Sequence, residues 1–298
     1  GVYFLVEQLK EITLRGAGLM PGDLYRGEII AKDRFTAGGV NSLFETEGVW
    51  DKIATNNHYD ETSKVPLERL IKLVRNSESE LSQAVLSEML DMQAWGRYAA
   101  YESLTQSIHV DDTHNWRLYY DPWRQKFLPV VWDTMGWFDR TRGAKFRNEV
   151  ISNSLMKALF QNGDFVRARS NVLRSFFATG QDQVFRSIVS DVVVKMGKEI
   201  ETDPFLLPTD PNNVKHHMRR LKEVVGEVLD ESDIFLQHDP RLKLIFASAH
   251  FRDHSLDLVI RGKHPIHWLR LQLSGPLETP PRVSVSYQTV TGKYNVDL

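Results

Sequence analysis

The chain has no cysteine in its 298 residues. Disulfide staples, a thiol nucleophile and thiolate metal ligation are therefore excluded, and the redox compartment is left open. Charge of one sign is also lacking: 37 Lys and Arg face 39 Asp and Glu, a formal net charge of −2. Such a balance gives no global attraction to nucleic acid or an acidic membrane, so no nucleic-acid partner is expected. No apolar run approaches the roughly 20 residues that span a bilayer, and the first residues show no basic stretch followed by an apolar core. No integral membrane segment is expected. Gly38-Gly39 lacks the Walker spacing and its terminal Lys-Ser or Lys-Thr, and reads as a flexible loop. The ten His are dispersed, and neither His216-His217 nor His264 with His267 makes a HExxH zinc pattern. The short basic groups at His216–Lys222 and Arg167–Arg174 carry no interleaved aromatics and read as solvated helix faces.

Large rings are plentiful, with 15 Phe, 9 Tyr and 7 Trp, which predicts a ring-rich core. The pattern along the chain predicts an α+β protein with a large helical section. Gly1–Glu7 and Leu24–Ile30 read as strands, and residues 33–64 as a long irregular segment. Pro66 fits a first helical turn, followed by Leu67, Leu70, Ile71 and Val74 at helical spacing. A second helix begins after Ser77 and Ser79, with Leu81, Val85, Met89 and Met92 continuing into Trp95 and Ala99. Helical periodicity returns over Asn148–Phe160, Asp164–Phe177, Gln181–Ile200 and Asn213–Leu229, with Val184, Ile188, Val192 and Met196 predicted as a buried stripe. Three prolines make Glu201–Asn212 a connection. Residues 251–298 change character, with short strands expected at Leu256–Ile260, Ile266–Leu273, Val283–Tyr287 and Tyr294–Leu298. They suggest a small β-rich module packed against a first domain of residues 1–250, since four short strands need outside support.

The chemistry concentrates between Asp111 and Asp139. Strands at Trp116–Tyr120 and Phe127–Val131, with a turn around Asp121 and Pro122, predict a β-hairpin. Its closure would bring residue 115 to residue 133, so that Asn115 and Asp133 share one divalent metal with Asp111 or Asp112 beside it. Phosphoryl-transfer sites of the protein-kinase type are assembled in this way, and hard oxygen ligands suit Mg²⁺. The plainer account is that Asn115 and Asp133 cap the hairpin's ends. Asp111 is the candidate to orient a substrate hydroxyl, Asp112 is its rival, and one of the two would fix the loop by accepting backbone N–H bonds. His114 reads as a loop-stabilising hydrogen bonder, and Trp132, Trp137 and Phe138 as walls of the site.

These residues also carry a resemblance. Gly1-Val2-Tyr3 with Glu7, Gly22-Asp23-Leu24-Tyr25, Asp111 through Asp121 and Val131-Trp132-Asp133 are similar to motifs of the CotH family of atypical kinases, spore-coat and cell-surface proteins with a distant kinase-like core. The resemblance implies an atypical kinase-like core and ATP-dependent phosphorylation of Ser or Thr on a protein substrate, with Mg²⁺ or Mn²⁺. It also implies a coat or surface protein as acceptor and the spore coat or cell envelope as location. It assigns catalysis to Asp111 or Asp112, and nucleotide and metal binding to Asn115 and Asp133. Arg26 would contact the donor phosphates where the family usually has Lys, with Glu7 bracing it; Arg offers a rigid fork and Lys a point charge. Met135 stands where the family has a second acid after Trp132-Asp133, and Asp139 would compensate only if the following loop turned back. Family members usually carry a further β-rich segment upstream of the GVY element, so the sequence reads as a fragment or processed product. A catalytically degenerate assembly or binding protein is the alternative function. A hydrolase using the same acids to activate water is the third.

Overall fold

The computed structural model describes residues 9–29, 39–54, 63–204, 210–238, 246–252, 255–261, 284–288 and 293–297. The expected strand Gly1–Glu7 and the expected strand Ile266–Leu273 lie outside them, as does Glu7. The chain divides after Gln237 into two compact units, Gly1–Gln237 and His238–Leu298.

The first unit is built on a four-stranded antiparallel sheet: β1 (Asp23–Gly27), β2 (Trp50–Ala54), β3 (Trp116–Asp121) and β4 (Lys126–Pro129), in the order β2-β1-β3-β4. β2 falls inside the stretch that sequence read as irregular. Its alternation is hidden because Asp51 and Lys52 interrupt it; Lys52 is buried all the same, 3.0 Å from Asp23 Oδ2. The hairpin is present: its first arm gains Asp121, which pairs with Lys126, while the second ends at Pro129, opposite Leu118, so that Val131 lies beyond the ladder. The strand expected over Leu24–Ile30 is observed as β1, Asp23–Gly27.

One face of the sheet is covered by helices. α1 (Glu11–Gly16) precedes β1; α2 (Val65–Arg75), α3 (Glu80–Met89) and α4 (Met92–Thr105) separate β2 from β3. α2 has Pro in its first turn and buries Leu67, Leu70, Ile71 and Val74, as the spacing predicts. The single helix expected from Ser79 to Ala99 is two helices. Leu90 leaves the helical path to bridge Phe127, and Asp91 caps the next helix by accepting from Ala94 N at 3.0 Å. α4 then crosses the sheet and carries Trp95 into the core, where Trp50, Trp95, Trp116 and Phe44 meet edge-on or tilted, with centroids 5.3–6.4 Å apart. Each such ring pair adds about 0.5–1.5 kcal/mol beyond its burial. Every indole N–H of the trio is satisfied by a carbonyl: Trp50 by Leu43, Trp95 by Phe127 and Trp116 by Asp111.

After β4 come α5 (Phe138–Thr141), α6 (Ser154–Leu159), α7 (Gly163–Ala178), α8 (Gln181–Glu201) and α9 (Asp210–His238). The helix expected over Asn148–Phe160 is confined to α6, because Asn153 caps it through Met156 N at 2.8 Å. α7 lies against α4, where Gly96 meets Ala168 and Arg169. The buried stripe expected on α8 is exposed instead: Val184, Ile188 and Val192 are 50%, 52% and 45% accessible. Periodicity reports that a helix is amphipathic and not what covers it. The second unit contains two antiparallel pairs, β5 (Phe246–Arg252) with β6 (Ser255–Arg261), and β7 (Ser284–Gln288) with β8 (Lys293–Asp297). The α+β class with a large helical section is therefore the observed one. No helix among the described residues is long and apolar enough to cross a membrane.

Candidate phosphoryl-transfer site

The site forms where the loop entering β3 meets the loop leaving β4. Asp111 lies midway along the first loop. Its Oδ1 accepts from Thr113 N at 2.7 Å, Thr113 Oγ1 at 2.7 Å, His114 N at 3.0 Å and His114 Nδ1 at 2.7 Å. Oδ2 takes part in none of these bonds. Partial burial pushes the Asp111 carboxyl upward, but the donors from Thr113 and His114 outweigh it and hold the group below the usual carboxylate range. Asp111 is thus a stable carboxylate with one oxygen committed to the loop.

Asp112 faces elsewhere. Its two oxygens accept from Ser154 N at 2.7 Å and Ser154 Oγ at 2.8 Å, which ties the loop to the first turn of α6. The side chain that caps its own loop and the one that pins a distant helix are therefore neighbours in sequence with different partners.

Asn115 and Asp133 are drawn together by His109, a residue the sequence reading passed over. His109 Nδ1 lies 2.7 Å from the Asp133 carbonyl oxygen, 3.6 Å from Asp133 Oδ2 and 3.0 Å from Asn115 Nδ2. Asn115 Nδ2 also donates to the His109 carbonyl at 3.1 Å. Asn115, Asp133, Met135 and Trp137 all have left-handed backbones, with φ of 66°, 39°, 41° and 61°. Non-glycine residues seldom take this conformation, and its cost of about 1–3 kcal/mol per residue is sustained only when surrounding contacts fix it. Here the contacts come from the end of α4 and the residues just after it: Ser107 Oγ donates to the Thr134 carbonyl, Trp137 N donates to Thr105 O at 2.6 Å, and Trp137 Nε1 to Leu104 O at 2.8 Å.

Arginines from two strands stand beside these loops. The register places Arg26 of β1 opposite Arg117 of β3 on the sheet face away from the tryptophan core. Arg26 is paired with Asp51 of β2 at 2.5 Å, and the expected brace from Glu7 lies outside the described residues. Arg117 is nearly buried, pairs with Glu28 at 3.0 Å and lies 4.7 Å over the Trp132 ring. Burial lowers the Arg117 pKa, whereas Glu28 and Asp133 favour its charged form. Arg117 and Glu28 were also missed, although strand alternation puts Arg117 on the face opposite Trp116 and Leu118. Nothing local in the sequence singles out His109.

Met135 is 43% exposed at the site. Asp139 lies in the single turn of α5, and its carbonyl accepts from Arg142 N and Ala144 N at 3.1 and 3.0 Å; among the described residues no hydrogen bond or ion pair joins its carboxylate to Asp133 or Asn115. Nor does any group of three or more His, Cys, Asp or Glu come together as a metal cluster among the described residues. A Mg²⁺ site of the kinase kind needs only one or two protein carboxylates, with phosphates and water completing the shell. The oxygen donors here fit that demand: Asp133 has a carboxylate 53% exposed, and Asn115 turns its amide nitrogen to His109, leaving Oδ1 outside every hydrogen bond of the described residues.

The unit is a mixed sheet-and-helix fold whose hairpin brings an Asn and an Asp to one end. Residues 1–227 match the family model described as CotH kinase protein, and the chain belongs to the CotH family. No curated protein matches the chain.

Proposed function

We propose that the protein transfers the terminal phosphoryl group of ATP to a Ser or Thr hydroxyl of an acceptor protein. The observation that carries this reading is the convergence of Asn115 and Asp133 on His109, through the Asn115 amide nitrogen and the Asp133 carbonyl, in a chain of the CotH kinase family. Asp133 and Asn115 hold a divalent cation, Mg²⁺ or Mn²⁺, which supplies neutralisation of charge on the donor phosphates. Arg26 and Arg117 face the phosphates with forked, permanently charged donors, in place of a point-charge Lys. Asp111 orients the acceptor hydroxyl. A carboxylate held below its usual range is a weak proton acceptor, which suits a transfer whose loose transition state asks for positioning more than for early proton removal. Asp112 holds α6 in place. Coat or envelope proteins are the acceptors that family membership suggests.

The test is transfer of labelled γ-phosphate to a protein acceptor with Mg²⁺ and then Mn²⁺, beside Asp133→Ala and Asp111→Ala. Transfer by the parent chain that falls to background in both variants is expected. Transfer unchanged by Asp133→Ala would sink the assignment.

The exposed Met135, standing where the family has an acid, favours a second reading: a binding component that has lost turnover. ATP and metal binding that depend on Asp133, with no transfer to any acceptor tried, would select it.

A further inference from the structure

His109 belongs to none of the motifs that identify the site, yet it touches both residues assigned to the metal. Its carbonyl can only accept, so the Asn115 amide must present Nδ2 to it, at 3.1 Å. That choice turns Asn115 Oδ1 away from His109. The ring does the corresponding work on the other loop, since its Nδ1 lies 2.7 Å from the carbonyl of Asp133, whose φ is 39°. A carbonyl oxygen again only accepts, so Nδ1 carries the hydrogen. The 3.0 Å approach of Asn115 Nδ2 to the same nitrogen is then not a hydrogen bond, and the ring nitrogen able to accept from it is Nε2, at 3.3 Å. On its other side the ring meets His114 edge to face at 5.0 Å, and His114 is held by Asp111.

We propose that His109 is a positioning residue that aligns both oxygen donors of the metal site, Asn115 Oδ1 and the Asp133 carboxylate, by fixing the amide of one and the backbone of the other. The inference rests on the metal-ligand reading of Asn115 and Asp133 and deepens it. His109 does not ligate the cation. It sets the rotation of Asn115 through its main chain and the left-handed turn at Asp133 through its ring, and its edge-to-face contact with His114 joins the metal donors to the Asp111 loop. Residues that orient ligands in this way typically carry a 10- to 100-fold share of metal affinity.

The experiment is Mn²⁺ binding to the full chain without nucleotide, followed by the loss of the free-ion EPR signal. The parent is compared with Asp133→Asn, His109→Ala and His109→Gln, and thermal melts confirm that each variant is folded. Asp133→Asn is expected to abolish site binding, which reports on the ligand assignment alone. His109→Ala is expected to weaken Mn²⁺ binding by about 10- to 100-fold. His109→Gln, whose amide nitrogen can donate to the same carbonyl, is expected to recover part of the loss. Parental affinity in His109→Ala overturns the proposal, and so does an equal loss in His109→Gln and His109→Ala. Affinity unchanged by Asp133→Asn overturns the ligand assignment itself, and the proposal with it.

Discussion

The turn Asp111–His114 in the loop entering β3 is tied by one of its own side chains, whereas the loop leaving β4, residues 130–137, is held by α4 and the residues that follow it. In the first, one oxygen of Asp111 gathers four donors from Thr113 and His114. In the second, Asp133, Met135 and Trp137 take left-handed backbones that none of their own side chains explains. The bonds that sustain them run to Leu104 and Thr105 of α4 and to Ser107 and His109 just beyond it, with Tyr101 reaching Thr134 Oγ1 at 3.0 Å. A loop of the first kind is encoded within six residues. One of the second kind depends on a helix some thirty positions away, so its geometry tracks the seating of that helix.

The sharpest way to break this difference is to move α4. Gly96 lies where α4 crosses α7, and a Cβ there would stand 2.6 Å from Ala168 Cβ and 2.7 Å from the backbone nitrogen of Arg169. A backbone atom cannot swing aside as a long side chain can, so the helices must separate. Gly96→Ala is expected to cost about 3 kcal/mol in urea unfolding, the upper part of the usual range for overpacking. It is also expected to weaken Mn²⁺ binding through the second loop while leaving the Asp111 turn formed. A loss under about 0.5 kcal/mol would show that the crossing has room.

A smaller effect separates the two adjacent acids. Removing the Asp112 carboxylate leaves Ser154 N and Oγ without their acceptor at the start of α6. Asp112→Ala is expected to lower stability by about 2 kcal/mol, as for a lost bond to a charged group. Asp112→Asn keeps an acceptor and is expected to retain phosphoryl transfer within a few-fold in a labelled-phosphate assay. If Asp112→Asn abolishes transfer and Asp111→Asn does not, the roles of the two acids are reversed.

What the sequence disclosed follows the same division. The hairpin was legible because alternating rings and a turn at Asp121-Pro122 are local signals, and Asn115 and Asp133 came with it. α2 was legible through Pro66 and four apolar residues at helical spacing. β2 was not, because buried Lys52 reads as polar until Asp23 is seen opposite it in the fold. The end of α3 was missed because Leu90 continues the apolar period while its backbone turns to meet Phe127. The α8 stripe misled since a period cannot say what a face packs against. His109, Arg117 and Glu28 join the site through register and loop closure, which are long-range facts.

The least effect expected is electrostatic, and it probes the self-tied loop alone. The Asp111 carboxyl is held below its usual range by Thr113 and His114 against the opposing effect of burial. An unfolded Asp titrates near about 3.9, so as pH falls the unfolded chain takes up its proton first. The stability that Asp111 contributes is therefore fully present above about pH 4 and is lost as pH falls through the lower folded value. With 37% of the side chain exposed, solvent screening limits the contribution to at most about 1 kcal/mol. Urea unfolding at pH 7, 5 and 3 should show Asp111→Asn less stable than the parent at pH 7, with the gap closing toward pH 3. A gap that stays constant across this range would mean that the loop is held by the shape of the side chain and not by its charge, and would remove the distinction between a charge-tied loop and a helix-tied one.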